Sequence, residues 1–600
     1  MTRSQSPIQT YQQERKQHQE SLQKRKSIQS RISLARVVLV VLAGYGGWAY
    51  FTDKGYVWGI IALLSLVAFI VLINVFFRIQ AKIRLLEALI SINEEEIAYL
   101  RDRDISPFAD GEEFTDPEHP YTFDLDIFGP ESLFQHINRT ATSIGKERLA
   151  AFFIAQREDE ISARQEAMQE LSAALPWRQH FQALGRIHEA GDQKMEGFSL
   201  WLQAPPAYLH RWFLRAISFL FPALAIGGLI ATFVLPHVLS TSLFLTAFFV
   251  NLGVVGYHSL RFKKEFLALD GISRFLNTYE DLLKTIAEQK FTAAWLQERH
   301  QAVTREESNA PEAIHALSKI LQKFEYQTNP FVAILSNGFM MDAVHVLFKL
   351  ERWKQRYAAS VPGWLEVIAD MDAALSMAGF CYNHPDFAYP TLSETPALHF
   401  EEAAHPLIPA GARVSNSVNF SGERFIILTG SNMAGKSTFL RTLGVNLLLC
   451  RMGLPLCAKS ARLYPMEVFV SMKINDSLKD SESLFYAELK RLNRIGERAA
   501  QDAPVFVILD EILRGTNSND KHLGTRSFIE QIVEAGAFGI IATHDLSIAA
   551  LKTTYPDTLS NRCFEVDIEG DSIHFDYVLK EGVCQKMSAV FLMKQMEIIA

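Results

Sequence analysis

Six hundred residues are more than one hydrophobic core serves, about 250–300 residues, so several domains are expected. A net charge of −8 excludes a uniformly basic nucleic-acid binder but leaves room for a local basic groove. The five cysteines (Cys381, Cys450, Cys457, Cys563 and Cys584) form no C-x-x-C pair and no metal-ligand spacing, which points to buried free thiols in a reducing compartment.

Residues 1–36 are polar and basic, with eight Lys/Arg against Glu14 and Glu20, and predict a solvated helix or a mobile tail. Two apolar segments follow, about Val37 to Phe51 and Val57 to Phe77, joined by Thr52-Asp53-Lys54-Gly55. The second has no internal charge and meets the roughly 20 residues a membrane span needs. A second pair runs from about Trp212 to Leu235 and Val238 to Tyr257, joined at Pro236-His237. Both pairs predict transmembrane hairpins, and membrane lipids are their expected partners. Arg36, Arg78, Lys82 and Arg84 bracket the first; Arg211, Arg215, Arg261, Lys263 and Lys264 bracket the second. The positive-inside rule then makes this a multi-pass membrane protein with both termini and the C-terminal domain cytoplasmic. Asn74 and Asn251 are the clearest polar residues inside the spans, which carry no deep Asp, Glu, Lys or Arg; the hairpins read as anchors rather than an ion path.

Ile79 to Arg101 has helical apolar spacing and prolongs the second span. The predicted order is a basic tail (1–36), a first hairpin (37–78), a helix and linker (79–122), and a helical core in two parts (123–205 and 261–395). The second hairpin (206–260) interrupts that core, and a nucleotide-binding α/β domain (396–600) closes the chain. Asn329-Pro330 and Pro362-Gly363 read as helix breaks.

The chemistry concentrates in Thr429-Gly430-Ser431-Asn432-Met433-Ala434-Gly435-Lys436-Ser437-Thr438, which fits the phosphate-binding P-loop. A strand-type run, 424–428, precedes it and a helical run, 439–449, follows. The glycines let successive N–H groups face one anion and the helix start adds its dipole. Residues 430–438 are therefore the candidate ATP-binding loop, with Lys436 reaching the β- and γ-phosphates and Ser437 ligating Mg2+. Downstream, the apolar strand 505–509 ends in Asp510 and Glu511, candidates for holding Mg2+ and for polarising the attacking water. Another strand, 539–542, leads to Thr543-His544, where His544 suits a hydrogen bond to the γ-phosphate.

These residues together resemble the MutS family of DNA mismatch-repair ATPases. Asn432 and Met433 separate the loop from a generic P-loop and match the family's T-G-P-N-M-x-G-K-S-T. Leu509-Asp510-Glu511-Ile512-Leu513-Arg514-Gly515-Thr516 is similar to L-D-E-x-G-R-G-T, with Asp520 following, and Ala542-Thr543-His544 to A-T-H. Ser481-Glu482-Ser483-Leu484-Phe485-Tyr486-Ala487-Glu488 resembles the family's signature segment, which implies that Ser483 completes the ATP site of a partner subunit and that two copies form a homodimer through these domains. Residues 133–149 and 369–375 resemble the ends of the family's helical core, and 575–584 its closing strand pair. The resemblance implies a multidomain protein: an α-helical core with two transmembrane helical hairpins plus a C-terminal α/β P-loop ATPase domain of ABC/MutS type. ATP and Mg2+ are its implied cofactors, and duplex DNA binding and mismatch repair its implied role.

The departures are specific. No Phe-x-Glu wedge for a mispaired base precedes the helical core, and the N-terminus is a basic tail and hairpin instead of a mismatch-reading domain. Ser481 and Leu513 stand where the family has glycine. Near Asn416, which resembles an ATP-site residue of the family, Arg413-Val414-Ser415 stands where the family has an aromatic residue; adenine is then expected on Val414 or under the Arg413 guanidinium. A second reading is an ATP-driven membrane machine or regulator that binds no DNA.

Overall fold

A computed structural model describes residues 6–585 apart from 53–54, 156–159, 188–192, 207–210, 235–237, 270–271, 307–308, 328, 432, 474–483, 502–503 and 570–571. The chain is mostly helical up to residue 383, and a C-terminal α/β domain follows.

Two long antiparallel helices come first, α1 (Pro7–Phe51) and α2 (Tyr56–Asp102). The expected tail is the first half of α1. Its start is encoded locally: Ser6 accepts from the Gln9 N–H, the Gln9 side chain accepts from the Ser6 N–H, and Pro7 supplies the first helical φ. Tyr11 is buried rather than solvated, and its hydroxyl donates to Asn383 Oδ1 at 2.9 Å. The predicted prolongation of the second span is seen in α2, which runs unbroken from the apolar segment to a left-handed C-cap at Arg103.

The helical core comprises α3 (Leu133–Ile137), α4 (Ser143–Ile154), α5 (Ile161–Ala173), α6 (Leu175–Ile187), α7 (Gln193–Gln203), α8 (Trp212–Val234), α9 (Val238–Leu269), α10 (Ile272–Glu288), α11 (Ala294–Thr304), α12 (Ala310–Tyr326), α13 (Pro330–Met340), α14 (Asp342–Tyr357) and α15 (Val361–Asn383). α15 is its axis, buried along nearly its whole length. The Asp372 carboxylate on α15 accepts from the N–H groups of Ala141 and Thr142 and from the Thr142 hydroxyl, so it fixes the turn that starts α4. Burial pushes that carboxyl up to about 6, against the pull of those donors. Among the described residues, four helices (α1, α2, α8 and α9) are long and apolar enough to cross a membrane, and their apolar windows are largely unburied by protein.

In the C-terminal domain, β1 (Thr391–Leu392), β2 (Leu398–Ala403), β3 (Asn416–Asn419), β4 (Phe425–Gly430), α16 (Lys436–Met452), β5 (Ser460–Leu463), β6 (Glu467–Ser471), α17 (Leu484–Ala499), β7 (Val505–Asp510), α18 (Ser518–Glu534), β8 (Phe538–Ala542), α19 (Leu551–Thr554), β9 (Leu559–Glu569) and β10 (Ser572–Glu581) follow. The main sheet has the order β10-β9-β4-β8-β7-β6, parallel except for β10. β4 and β7 are buried at every position, as their unbroken apolar runs require between two helical layers. A smaller sheet, β1-β5-β2-β3, lies beside it. α16 packs so tightly against the helical core that a Cβ on Gly444 would stand 2.7 Å from the Leu125 side chain.

The expected linker 104–122 is irregular yet packed. Phe108 and Tyr121 are buried, and the Tyr121 hydroxyl donates to the Phe153 carbonyl at 2.7 Å. Just beyond it, Asp124 accepts from the N–H groups of Met472 and Lys473 and from Arg491, joining the first half of the chain to the approach to α17.

Candidate functional site

The loop after β4 is shaped by close approaches. A Cβ on Gly430 would lie 2.9 Å from the Phe564 carbonyl oxygen. Gly435 takes φ +98° and caps α16, and a Cβ there would lie 3.0 Å from the Tyr577 ring. Met433 also has positive φ and is exposed. Asn432 lies outside the described residues. Lys436, buried at the first turn of α16, donates to the carbonyls of Gly430 (2.9 Å) and Ser431 (3.0 Å). Burial lowers its ammonium, against the opposing pull of Asp510 and Glu511.

Three strand ends converge on this loop because β4, β8 and β7 are parallel neighbours. The Ser437 hydroxyl donates to Asp510 Oδ2 at 2.7 Å. His544 Nε2 stands 2.8 Å from Glu511 Oε1 and 3.4 Å from Lys436 Nζ. The hydrogen bond from His544 holds the Glu511 carboxyl down to about 2, against partial burial. Glu511 itself has φ +49°, with its N–H donated to the Ala542 carbonyl. Arg514 turns back to donate to the carbonyls of Asp510 and Glu511.

Leu513, where a glycine was expected, has φ +60°. The glycine-type backbone is kept despite the side chain, at a strain of about 1–2 kcal/mol. Glu488 of α17 compensates by accepting from the Leu513 N–H at 2.6 Å. Glu488 is the last residue of the predicted signature segment; Ser481 and Ser483 lie outside the described residues.

Lys436, Ser437, Asp510, Glu511, Arg514 and His544 line one cleft of about 440 Å³, whose far wall is Val414, Asn416 and Tyr577. Asn416 does line it, but its amide is engaged elsewhere: Nδ2 donates to the Tyr577 carbonyl and Oδ1 accepts from the Leu579 N–H. Arg413 lines it as well, with its guanidinium donating to the carbonyls of Pro406 and Ile408. Tyr577 is the residue that sequence reasoning missed. It sits at a break in the β9–β10 register, with φ +53°, half-exposed beside Gly435. Its aromatic identity was a signal, but its position depends on Asn416, 161 residues away.

A helix start, an ammonium, a hydroxyl–carboxylate pair and a carboxylate–imidazole pair in one cleft suit a polyphosphate with a hard divalent cation. Residues 426–598 match the family model for MutS domain V. The chain is also similar to DNA mismatch repair proteins of that family. The chain is 26% identical over 335 residues to DNA mismatch repair protein MSH3 of Phaeosphaeria nodorum, covering 54% of this chain and 28% of that protein. It is 29% identical over 221 residues to DNA mismatch repair protein MutS of Thermotoga neapolitana (36% of this chain, 27% of the relative) and 32% identical over 221 residues to that of Aquifex pyrophilus (36% and 25%). The matched stretches span under a third of the length of each of these relatives.

Proposed function

We propose that this chain is a membrane-anchored ATPase of MutS type, which binds and hydrolyses ATP at composite sites shared by two copies. The observation that carries the reading is the convergence of Lys436, the Ser437–Asp510 pair and the Glu511–His544 pair on one cleft. Lys436 and the N–H groups at the start of α16 would take the phosphates. Ser437 and Asp510 are hard oxygen donors 2.7 Å apart, a donor set that fits Mg2+, an ion that takes one or two protein oxygens and completes its shell with phosphate and water. Bound there, Mg2+ would neutralise charge developing on the phosphoryl oxygens. Glu511, ionised at neutral pH, would orient and polarise the attacking water, and His544 would hold Glu511 and meet the terminal phosphate. Tyr577 and Val414 would flank the base. α8 and α9, with α1 and α2, would anchor the chain in lipid, with both termini and the α/β domain on the cytoplasmic side.

The names of the relatives extend the proposal to duplex DNA and mismatch repair. The competing reading, a membrane machine indifferent to DNA, draws on the four span-length helices among the described residues and on Asn383 of α15, which bonds both Tyr11 of α1 and Glu96 of α2. ATP hydrolysis by the full-length protein in nanodiscs tests both, with and without matched and mismatched duplexes over a salt series. Magnesium-dependent turnover that Glu511→Gln abolishes while ATP binding persists is expected. Turnover unchanged in Glu511→Gln overturns the site assignment. Stimulation by duplex that fades with salt supports the DNA role; turnover indifferent to every duplex overturns it and leaves the membrane machine.

A further inference from the structure

α13 was expected to be one more core helix after the Asn329-Pro330 break. Its sequence, PFVAILSNGFM, carries no charge. Asn329 caps it by accepting from the Phe331 and Val332 N–H groups. At Met341, where φ is +49°, the chain bends by 84° into α14. The two helices differ in kind. α14 carries Asp342, His345, Lys349, Glu351, Arg352, Lys354 and Arg356, and it buries Leu350 and Trp353 in the main core.

α13 instead lies along α8 and α9. A Cβ on Gly338 would meet the Phe248 ring of α9 at 2.2 Å, so that ring packs directly on the glycine backbone. The Phe339 ring stacks on Phe244 and meets Phe248 edge-on. Asn251, fully buried in α9, donates its amide to the Gly338 carbonyl at 2.7 Å. Nearer the N-terminal end of α13, the stripe Phe331, Ile334 and Leu335 at helical spacing is 81%, 51% and 57% exposed. α8 and α9, against which α13 packs, expose apolar side chains of their own, among them Phe219 and Leu243.

The polar groups at the bend are closed among themselves. Asn337 accepts from the Ala343 N–H and donates to Gln327, whose own amide donates to Asp342 and Ser336. Such closure is what a helix end requires where water is scarce. Eleven residues make ~16 Å of helix, about half the ~30 Å hydrocarbon core.

We propose that α13 is a re-entrant membrane element. It enters the lipid beside α8 and α9, presents Phe331, Ile334 and Leu335 to acyl chains, and leaves on the same side through the bend at Met341. The proposal rests on the reading of α8 and α9 as spans. It makes the membrane contact five-part and gives the lever-like α14 a foot in the bilayer.

The test uses full-length protein in nanodiscs with a single fluorescent label on a cysteine introduced at Ile334, Leu335, Phe219, Leu243 or the exposed Glu298; the five native cysteines are buried. Each label is quenched in turn by doxyl lipids and by aqueous iodide. Residues 334 and 335 should be quenched by doxyl lipid several-fold more than residue 298, like 219 and 243. Lipid quenching at 219 and 243 with iodide quenching at 334 and 335 overturns the re-entrant helix and leaves the anchor standing. Iodide quenching at all four overturns the anchor reading itself. Protection of 334 and 335 from both quenchers means that protein, such as a second copy, covers the face, and also overturns the proposal.

Discussion

Removing the charge of Glu96 should unlatch the long N-terminal helix pair from the helical core. Arg139 Nε lies 2.6 Å from Glu96 Oε1, and both side chains are only 6% exposed. The guanidinium also lies 3.4 Å from the Phe108 ring centroid, and Asn383 of α15 donates to the second Glu96 oxygen at 2.9 Å. Tyr11 of α1 reaches the same Asn383, so one buried cluster joins α1, α2, the 138–140 turn and α15. Glu96→Gln leaves the guanidinium buried without a counter-charge, a loss of about 3–5 kcal/mol. At tenfold per ~1.4 kcal/mol, amide exchange in 93–103 and 376–383 should speed by about two to four orders of magnitude, read by hydrogen–deuterium exchange in nanodiscs. Glu96→Gln/Arg139→Met removes both charges and should recover much of that loss. An acceleration below about tenfold in Glu96→Gln, or a double variant as unstable as the two single losses summed, refutes the latch.

Three further outcomes follow from the site. Asn416→Ala frees the Tyr577 carbonyl and the Leu579 N–H, a loss of about 1–3 kcal/mol, and should weaken binding of a fluorescent ATP analogue roughly tenfold; Tyr577→Ala should weaken it similarly, and the double variant no further. Glu511, held down to about 2, should stay ionised well into acid, so the stability it contributes is present above its ordinary value near 4.5 and lost only as pH falls toward 2. His544→Ala removes the main cause of that depression and should bring an acid limb into the residual ATPase profile between about pH 4 and 5, measured with a pH series; an unmoved profile means the His544 bond does not set the ionisation. Glu488→Ala strands the Leu513 N–H and should destabilise the loop by about 1–3 kcal/mol, seen as faster amide exchange over 510–516, whereas unchanged exchange there removes Glu488 as the holder of that turn.

The site divides by the range over which its geometry is encoded. Lys436 and Ser437 were readable because strand, glycine turn and helix start lie within fifteen residues, and backbone sterics alone orient them. Asp510, Glu511 and His544 were readable as strand ends, since a parallel sheet brings the C-terminal ends of its neighbours to one edge. Leu513 looked like a departure because composition was compared where conformation was kept: a carboxylate 25 residues upstream holds the left-handed turn that glycine adopts without strain. The base wall was legible only in part, for a related reason. Arg413, Val414 and Asn416 line the cleft as expected, while Asn416 also binds β10 and so brings Tyr577, which nothing in the local sequence marks, to the same wall.

Position along the chain hid two features of the helical half in the same way. A basic, Gln-rich segment has no apolar stripe to mark it as packed, yet a capping box at Ser6 and one tyrosine at position 11 are enough to bind it to residue 383. An eleven-residue apolar helix is too short for any span criterion, so α13 stood out only once Gly338 was seen against Phe248. These two contacts bear on how the protein would work. If ATP closes two α/β domains, the motion reaches α15 through the shared core, and α15 carries the Asn383 end of the latch to α1 and α2 while α14 ends on α13. Nucleotide state and membrane would then be joined at two separate places. A chain that used its hairpins only as tethers needs neither a buried charge pair nor a bent apolar helix at those places.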